Sequence, residues 1–373
     1  MHLTTLTLTS FRNHTQYDLR DLTPGFTAFI GPNGAGKTNI LEGISLLAPG
    51  RGLRSADIAD IQPLGRCDPW SVHADITGRY GPQSLGVGLD ATSNRRRVHV
   101  NGAAIKSAAA AAIIMNAVWL TPREDRLFID GAAARRKWLD RWVFTADPAH
   151  AGRITRLDRL LAERNRLLAL PRPDALWLDA LEDDLAATAL AVTLARADYI
   201  DRLQGEIARA TSNDFPMPTL ALQGFMEGQI GAAPAVHIET MYRQALMTAR
   251  VADAASGATR LGPHRSDIAV AYATKNMPAA QCSTGEQKAL LFALFLAHAR
   301  LITREQTEPP VLLLDEITAH LDPARRGALF DHLSALGAQV FLTATTYDQV
   351  SDAPGVRIEQ LGDGITQIQK EVA

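Results

Sequence analysis

The stretch GPNGAGKTN at residues 31–39 limits the possible folds of this chain more than any other feature. Glycines at 31, 34 and 36 let the backbone curl until its N–H groups face one point. Lys37 adds an ammonium and Thr38 a hydroxyl. This is the G-x-x-x-x-G-K-[ST] loop, whose residue types suit the phosphates of a nucleoside triphosphate. An apolar run from Phe26 to Ile30 enters it, and a helical pattern from Asn39 to Leu47 leaves it. The N-terminus of that helix reinforces anion binding.

The complementary half of such a site stands far away in sequence. Residues 311–316 read VLLLDE: four apolar residues for a strand buried on both faces, then two carboxylates at its C-terminal end. That edge is where parallel α/β folds gather ligands. Asp315 is placed to hold Mg²⁺ through water beside Thr38, and Glu316 to orient or polarise an attacking water. Phosphoryl transfer needs little beyond such positioning and charge neutralisation. The phosphate loop and Asp315 must therefore meet in space. The intervening block reads as mostly helical. Leu157, Leu160, Leu161, Arg164, Leu167 and Leu168 share one helix face, and Ala175 to Ala210 repeats the pattern. Neither run sustains an extended coiled coil. The predicted organisation is an α/β head built from residues 1–121 and 248–373, with a helical second lobe at 122–247 inserted between them.

Residues 282–288 read CSTGEQK, ahead of the apolar helix ALLFALFLAHA. Ser283, Thr284 and Gly285 offer a hydroxyl and bare N–H groups at a helix start, a second anion-binding arrangement. Asp322 follows in AHLDPARR. These are parts of an ATPase completed by a second copy of itself.

The formal charge of -2 argues against a generally basic DNA-coating protein, so a nucleic-acid face must be local. Arg95, Arg96 and Arg97 form one candidate, and Arg135, Arg136 and Lys137, with Arg141 beyond, form a second. Arg51 and Arg54 are a third. Trp138 and Trp142 are expected in the core. Further strands are predicted over Leu3–Ser10, within Ser71–Val100 and at Val340–Thr343, with a turn at Asn101-Gly102 and a helix over Ala108–Ala117. Cys67 and Cys282 suggest no disulfide framework. There is no secretion-signal pattern, and Ala289–Ala299 is too short to span a bilayer, so a cytoplasmic location is expected.

Taken together, GPNGAGKTN, STGEQ and LLLDE with LD after it resemble the ATP-binding-cassette heads of the SMC and Rad50 class. FRNH at 11–14, LEGISLLAPGRGLR at 41–54, TPREDRLFIDGAAARRKWLD at 121–140 and LGPHRSDI at 261–268 extend the resemblance to the RecF family over nearly the whole chain. The resemblance implies an ATP- and Mg²⁺-dependent homodimer with weak hydrolysis. It implies action at gapped DNA and duplex junctions with RecO and RecR, to help load RecA in damage response and homologous recombination. It carries nucleotide contact to Gly31, Pro32, Asn33, Gly34, Ala35, Gly36, Lys37, Thr38 and Asn39, to Arg12 and Asn13, and to Ser283 and Gly285 in trans. Glu316, Lys37 and Ser283 become the expected catalytic residues, Thr38 and Asp315 the metal ligands, and Ser283 and Asp322 the dimer seam. The chain departs from the family pattern with Glu316 for the usual second Asp, Cys282 for Leu, and Ala319-His320 for Ser-Glu. It lacks a clear Q-loop glutamine, whose place Thr121–Asp125 takes. It also lacks a switch histidine, for which Thr343 or Thr345 is the candidate substitute. A transporter ATPase lacks support from FRNH and from the helical insertion. An overcoming-lysogeny-type nuclease would need an acidic metal-binding domain after the head.

Overall fold

In the computed structural model, described for residues 1–63, 68–90, 92–93, 95–105, 113–210, 214–317, 321–362 and the backbone of 367–369, the chain divides into two units. One comprises Met1–Asp125, Ser212–Phe215 and Leu294–Ala373; the other comprises Arg126–Thr211 and Pro216–Ala293.

The first unit is built on the strand entering the phosphate loop, Gly25–Ile30. It pairs in parallel with Gln339–Ala344 on one side and Arg357–Gln360 on the other. Val311–Leu314 lies beyond Gln339–Ala344, and Ala117–Leu120 beyond that, again in parallel. Gln367–Gln369 closes the far edge antiparallel. Val311–Leu314 and Gln339–Ala344 are buried at every position, which is why the first is a continuous apolar run and the second carries Val340, Phe341 and Leu342 in a row rather than alternating. The helix Lys37–Leu47 follows the loop and buries Ile40, Leu41, Ile44 and Leu47.

A second, antiparallel sheet in this unit contains Leu6–Phe11, His14–Leu19, Ser71–Gly78, Gly81–Asp90, Arg95–Val100 and Ala103–Ile105. Asn101 and Gly102, at φ 49° and 80°, supply the two left-handed residues of the tight turn between its last two strands. The opening strand is interrupted. His2–Leu3 pairs with Ser71–Gly78, and Leu6–Phe11 starts anew, because Thr4 and Thr5 bond to Asp75 instead. Ala117 begins a strand rather than ending a helix. The rest of the expected Ala108–Ala117 helix lies outside the described residues up to 112, and residues 113–116 are turn and coil.

The second unit packs His150–Leu168, Ala175–Ala208 and Ala235–Ser256 around one leucine-rich core, which includes Leu157, Leu160, Leu185 and Leu246. Asp174 caps the 34-residue helix by accepting from the N–H groups of Leu176 and Trp177. Trp138 and Trp142 pack at a 48° tilt with centroids 4.2 Å apart inside Ala132–Ala146, both buried as expected of core residues. This unit is not purely helical. Pro218–Gln223 pairs antiparallel with Asp267–Tyr272, and that ladder draws the unit past residue 247, to Ala293. Arg164 sits on the leucine face as its spacing predicted, yet it is a fully buried cation. Its guanidinium donates to Glu182, Asp253, Thr259 Oγ1 and the Leu246 carbonyl, each at 2.8 Å. Among the described residues no helix is long and apolar enough to cross a membrane.

Candidate functional site

The sheet order places Gly25–Ile30 and Val311–Leu314 on either side of one strand, so their C-terminal ends open at the same edge. Thr38 Oγ1 there donates to Asp315 Oδ1 at 2.8 Å, across 277 residues of sequence. Thr343, at the end of the strand between them, donates its hydroxyl to the same oxygen at 2.9 Å. Thr343 Oγ1 in turn accepts the Glu316 N–H at 2.8 Å. Glu316 holds φ at 52°, a left-handed value uncommon for a side chain of this size. One threonine thus orients both carboxylate residues. Thr345, by contrast, bonds Gln349.

Lys37 is only 4% exposed, and its ammonium donates to the carbonyls of Gly31, at 2.7 Å, and Pro32, at 3.1 Å. The cation therefore lies inside the curl of the loop. Gly34 and Gly36 adopt φ of 87° and 94°. A side chain at Gly36 would also collide with Asn13 and His14.

The FRNH turn braces the loop from behind. Arg12 pairs with Glu42 through two nitrogens, at 2.9 and 2.6 Å, and donates to the Asp60 carbonyl at 2.5 Å. Asn13 accepts from Asn39 at 2.6 Å and reaches the Gly34 carbonyl at 3.5 Å. His14 Nε2 lies 3.2 Å from the Gly36 carbonyl. Burial holds the His14 imidazole below its ordinary pKa, against the raising effect of that carbonyl. Arg12 is thus committed to Glu42. Glu42, buried on the phosphate-loop helix, also binds Arg54 at 3.0 Å, and sequence reasoning had missed it. Its only signal in the sequence was a lone acidic residue within the helical pattern Asn39–Leu47.

Thr121–Asp125 forms a tight turn in which Glu124 accepts from the Thr121 N–H and hydroxyl, at 2.9 and 2.6 Å. Arg123 reaches the Arg54 carbonyl at 3.4 Å. Ala319 and His320 lie outside the described residues, as does Cys67. Asp322 is the N-cap of Pro323–Ala335, accepting from the Arg325 N–H at 3.0 Å.

In the second unit, Ser283 opens the helix Thr284–Gln306 through a capping box. Its N–H and its hydroxyl both donate to Glu286 Oε2 at 2.9 Å. Lys275 pairs with Glu286 Oε1. Ser283, Thr284 and Gly285 are exposed, with open space where a Gly285 side chain would go. Gln287 donates to the Ala280 and Cys282 carbonyls and fixes the bend before the helix.

The basic clusters separate into working parts. Arg96 turns inward and donates to the Leu46, Ala48 and Gly50 carbonyls, capping the end of the phosphate-loop helix. Burial lowers its guanidinium to about 10. Arg97 pairs with Asp90 at 2.5 Å. Arg135 forks onto Asp267 at 2.7 and 2.8 Å, and Arg136 donates to the Ser266 carbonyl at 2.6 Å. These contacts correct the expectation of two open cationic runs. In a strand, neighbours face opposite sides, so Arg95 and Arg97 point away from Arg96. On the helix, Arg135 and Arg136 brace a strand while Lys137 is exposed. A cavity of about 320 Å³ beside Arg96, Trp70 and Asp57 contains no residue of the phosphate loop.

Residues 2–367 match the family described as the RecF/RecN/SMC N terminal domain. The chain is 45% identical over 347 residues to the DNA replication and repair protein RecF of Mesorhizobium japonicum, covering 92% of this chain and 91% of that protein. It is 43% identical over 362 residues to the protein of the same name from Rhizobium meliloti, covering 96% of each. Among solved structures it is similar to the recombination mediator protein RecF-ATPrS in the RecFOR pathway. The TM-score is 0.86 at 23% identity, over 100% of this chain and 98% of that one. It is also similar to an SMC head bound to the C-winged helix domain of ScpA, with TM-score 0.57 at 14% identity, over 100% and 98%. These structural likenesses show the fold: a phosphate-loop ATPase head with an inserted helical lobe.

Proposed function

The chain belongs to the RecF family, and from that premise we propose that it is an ATP-dependent DNA-binding protein of recombinational repair. In this reading ATP drives a two-fold dimer at gapped DNA and duplex junctions, hydrolysis is weak, and the dimer assists RecA loading together with RecO and RecR. The observation that carries the reading is the meeting of Thr38, Asp315, Thr343 and Glu316 beside Lys37. The names of the curated relatives support repair, and the solved RecF complex with an ATP analogue supports the nucleotide.

The residues fit ATP with Mg²⁺. A hydroxyl and a carboxylate oxygen 2.8 Å apart are hard donors that suit Mg²⁺ alongside phosphate oxygens and water. When bound, Mg·ATP supplies the phosphoryl group and neutralises part of its charge. Lys37 would offer its ammonium to the phosphates, and Thr38 and Asp315 would hold the metal. Glu316 orients the attacking water and draws on its proton. Thr343 holds the Asp315 carboxylate and the Glu316 backbone in register. Ser283, exposed at a helix N-terminus, meets the terminal phosphate held by the partner protomer, with Gly285 beside it and Asp322 at the same seam. The helical second lobe at 122–247 belongs to the same proposal, as the helical part of the unit that extends to Ala293.

Replacing Ser283 by Arg puts a bulky side chain into that seam. The variant binds ATP as a monomer but does not dimerise. Light scattering with a non-hydrolysed ATP analogue is the test. A wild type that stays monomeric at micromolar protein and saturating analogue refutes the proposal, as does a Ser283→Arg variant that dimerises normally.

For DNA, the exposed Arg95 and Lys137 carry the proposal further than their engaged neighbours. Backbone contacts release counterions, so affinity falls steeply with salt and does not depend on sequence. Dimerisation doubles the cationic surface on one duplex, and ATP raises affinity through linked sites. Arg95→Glu with Lys137→Glu weakens duplex and gapped DNA alike and flattens the salt dependence. Arg96→Glu instead lowers thermal stability, because three helix-end carbonyls lose their donor. Fluorescence anisotropy at several salt concentrations, beside thermal melts, separates the two. Equal binding with and without ATP contradicts the clamp.

A further inference from the structure

We infer that Glu286 is a resident anion on the segment that Ser283 presents to phosphate, and that Lys275 governs how readily it withdraws. The inference rests on the reading of Ser283 as the group that meets the partner protomer's nucleotide. Ser283 spends both its N–H and its hydroxyl on one carboxylate oxygen, Glu286 Oε2. A serine hydroxyl has one proton to donate. A phosphate oxygen can therefore gain that proton only if Glu286 gives it up. An incoming phosphate also meets a carboxylate of its own sign at contact distance, where Coulomb repulsion is largest.

Lys275 is placed to resolve this conflict. Its ammonium pairs with the other oxygen, Oε1, on the side away from Ser283's bonds. It sits 5.4 Å from the centre of the Tyr272 ring, in the turn that follows Asp267–Tyr272. A carboxylate released by Ser283 keeps a cationic partner there. Bonds from Lys275 and from Ser283 hold the Glu286 carboxyl down to about 2, so it is ionised throughout the physiological range. The bend before the helix does not depend on Glu286, because Gln287 ties it to the Ala280 and Cys282 carbonyls. Glu286 thus competes with phosphate for Ser283, and Lys275 is a positioning residue that lowers the cost of exchange.

The test is sedimentation of the full chain with a non-hydrolysed ATP analogue, reading the protein concentration at half-dimerisation. Glutamine serves in a capping box as glutamate does, so Glu286→Gln keeps the helix start and removes only the charge. It shifts half-dimerisation about 5- to 10-fold lower, the modest end of coupling between linked sites. Lys275→Met raises it about 3-fold, the scale of an exposed ion pair, and Lys275→Arg restores it. The double variant behaves as Glu286→Gln alone, since Lys275 acts only through that carboxylate. Thermal melts without nucleotide verify that each variant is folded. A purely structural cap predicts the opposite: Glu286→Gln unchanged or weaker, with Lys275→Met equally costly in both backgrounds. That result overturns the inference alone. A wild type that never dimerises overturns the reading of Ser283 and this inference with it.

Discussion

Glu316→Gln lowers the rate of ATP hydrolysis by roughly 10²-fold or more and leaves ATP affinity unchanged. The amide has the size of the carboxylate and keeps its hydrogen-bonding reach, so the left-handed backbone at φ 52° and the bond from its N–H to Thr343 persist. Only the negative charge that polarises water is lost. A 10²-fold loss corresponds to about 2.7 kcal/mol of transition-state stabilisation. Lys37→Ala behaves differently. Its ammonium lies inside the loop, against the Gly31 and Pro32 carbonyls, and removing it takes a direct cation from the triphosphate. Binding itself then weakens. Single-turnover hydrolysis and nucleotide titration of both variants test this division, and equal affinity in the two contradicts it.

Arg164→Met destabilises the second unit by about 3–5 kcal/mol, the cost of leaving a buried charge without its partner. Arg164 and Glu182 are fully buried, and Asp253 is 2% exposed. Methionine fills part of the volume but offers no donor to either carboxylate, to Thr259 or to the Leu246 carbonyl. Glu182 retains Arg250 at 2.5 Å, whereas Asp253 retains only the longer contacts of Arg260, at 3.3 and 3.9 Å, so more of the cost falls on Asp253. Urea unfolding measures the loss. A shift below about 1 kcal/mol would mean that Arg260, whose N–H already reaches Asp253 at 3.3 Å, takes over the place of Arg164.

GPNGAGKTN and VLLLDE were legible because each needs only local chemistry. Glycine alone accepts the φ values of the loop, and only a strand buried on both faces leaves four apolar residues in a row. Asn101-Gly102 was legible for the same reason, as two residues that tolerate the left-handed region. Ser283 declared itself as a helix cap, and the capping box confirms the local reading, though not what the hydroxyl meets in the assembled protein.

Other features depend on partners that are distant in the chain. Arg96 looked like the middle of a basic run, yet it spends its charge on carbonyls about 50 residues earlier. Arg135 looked open to DNA and is paired with Asp267, 132 residues on. Arg164 was placed on a leucine face by its spacing, but Asp253, 89 residues away, explains why a cation survives there. Glu42 attracted no notice, because nothing on its own helix shows that Arg12 and Arg54 converge on it.

By itself, then, the amino-acid order determined the phosphate loop, the acidic strand that completes it, the helical insertion and the capped segment at Ser283. Each is encoded by backbone preference and hydrophobic period within a few residues. Only the tertiary structure decided which charges are spent inside the protein and which remain on its surface, and that Thr343 would serve both Asp315 and Glu316. A side chain's charge is written in the sequence, but its partner is chosen by packing, and burial makes an unpartnered charge too costly to leave to chance.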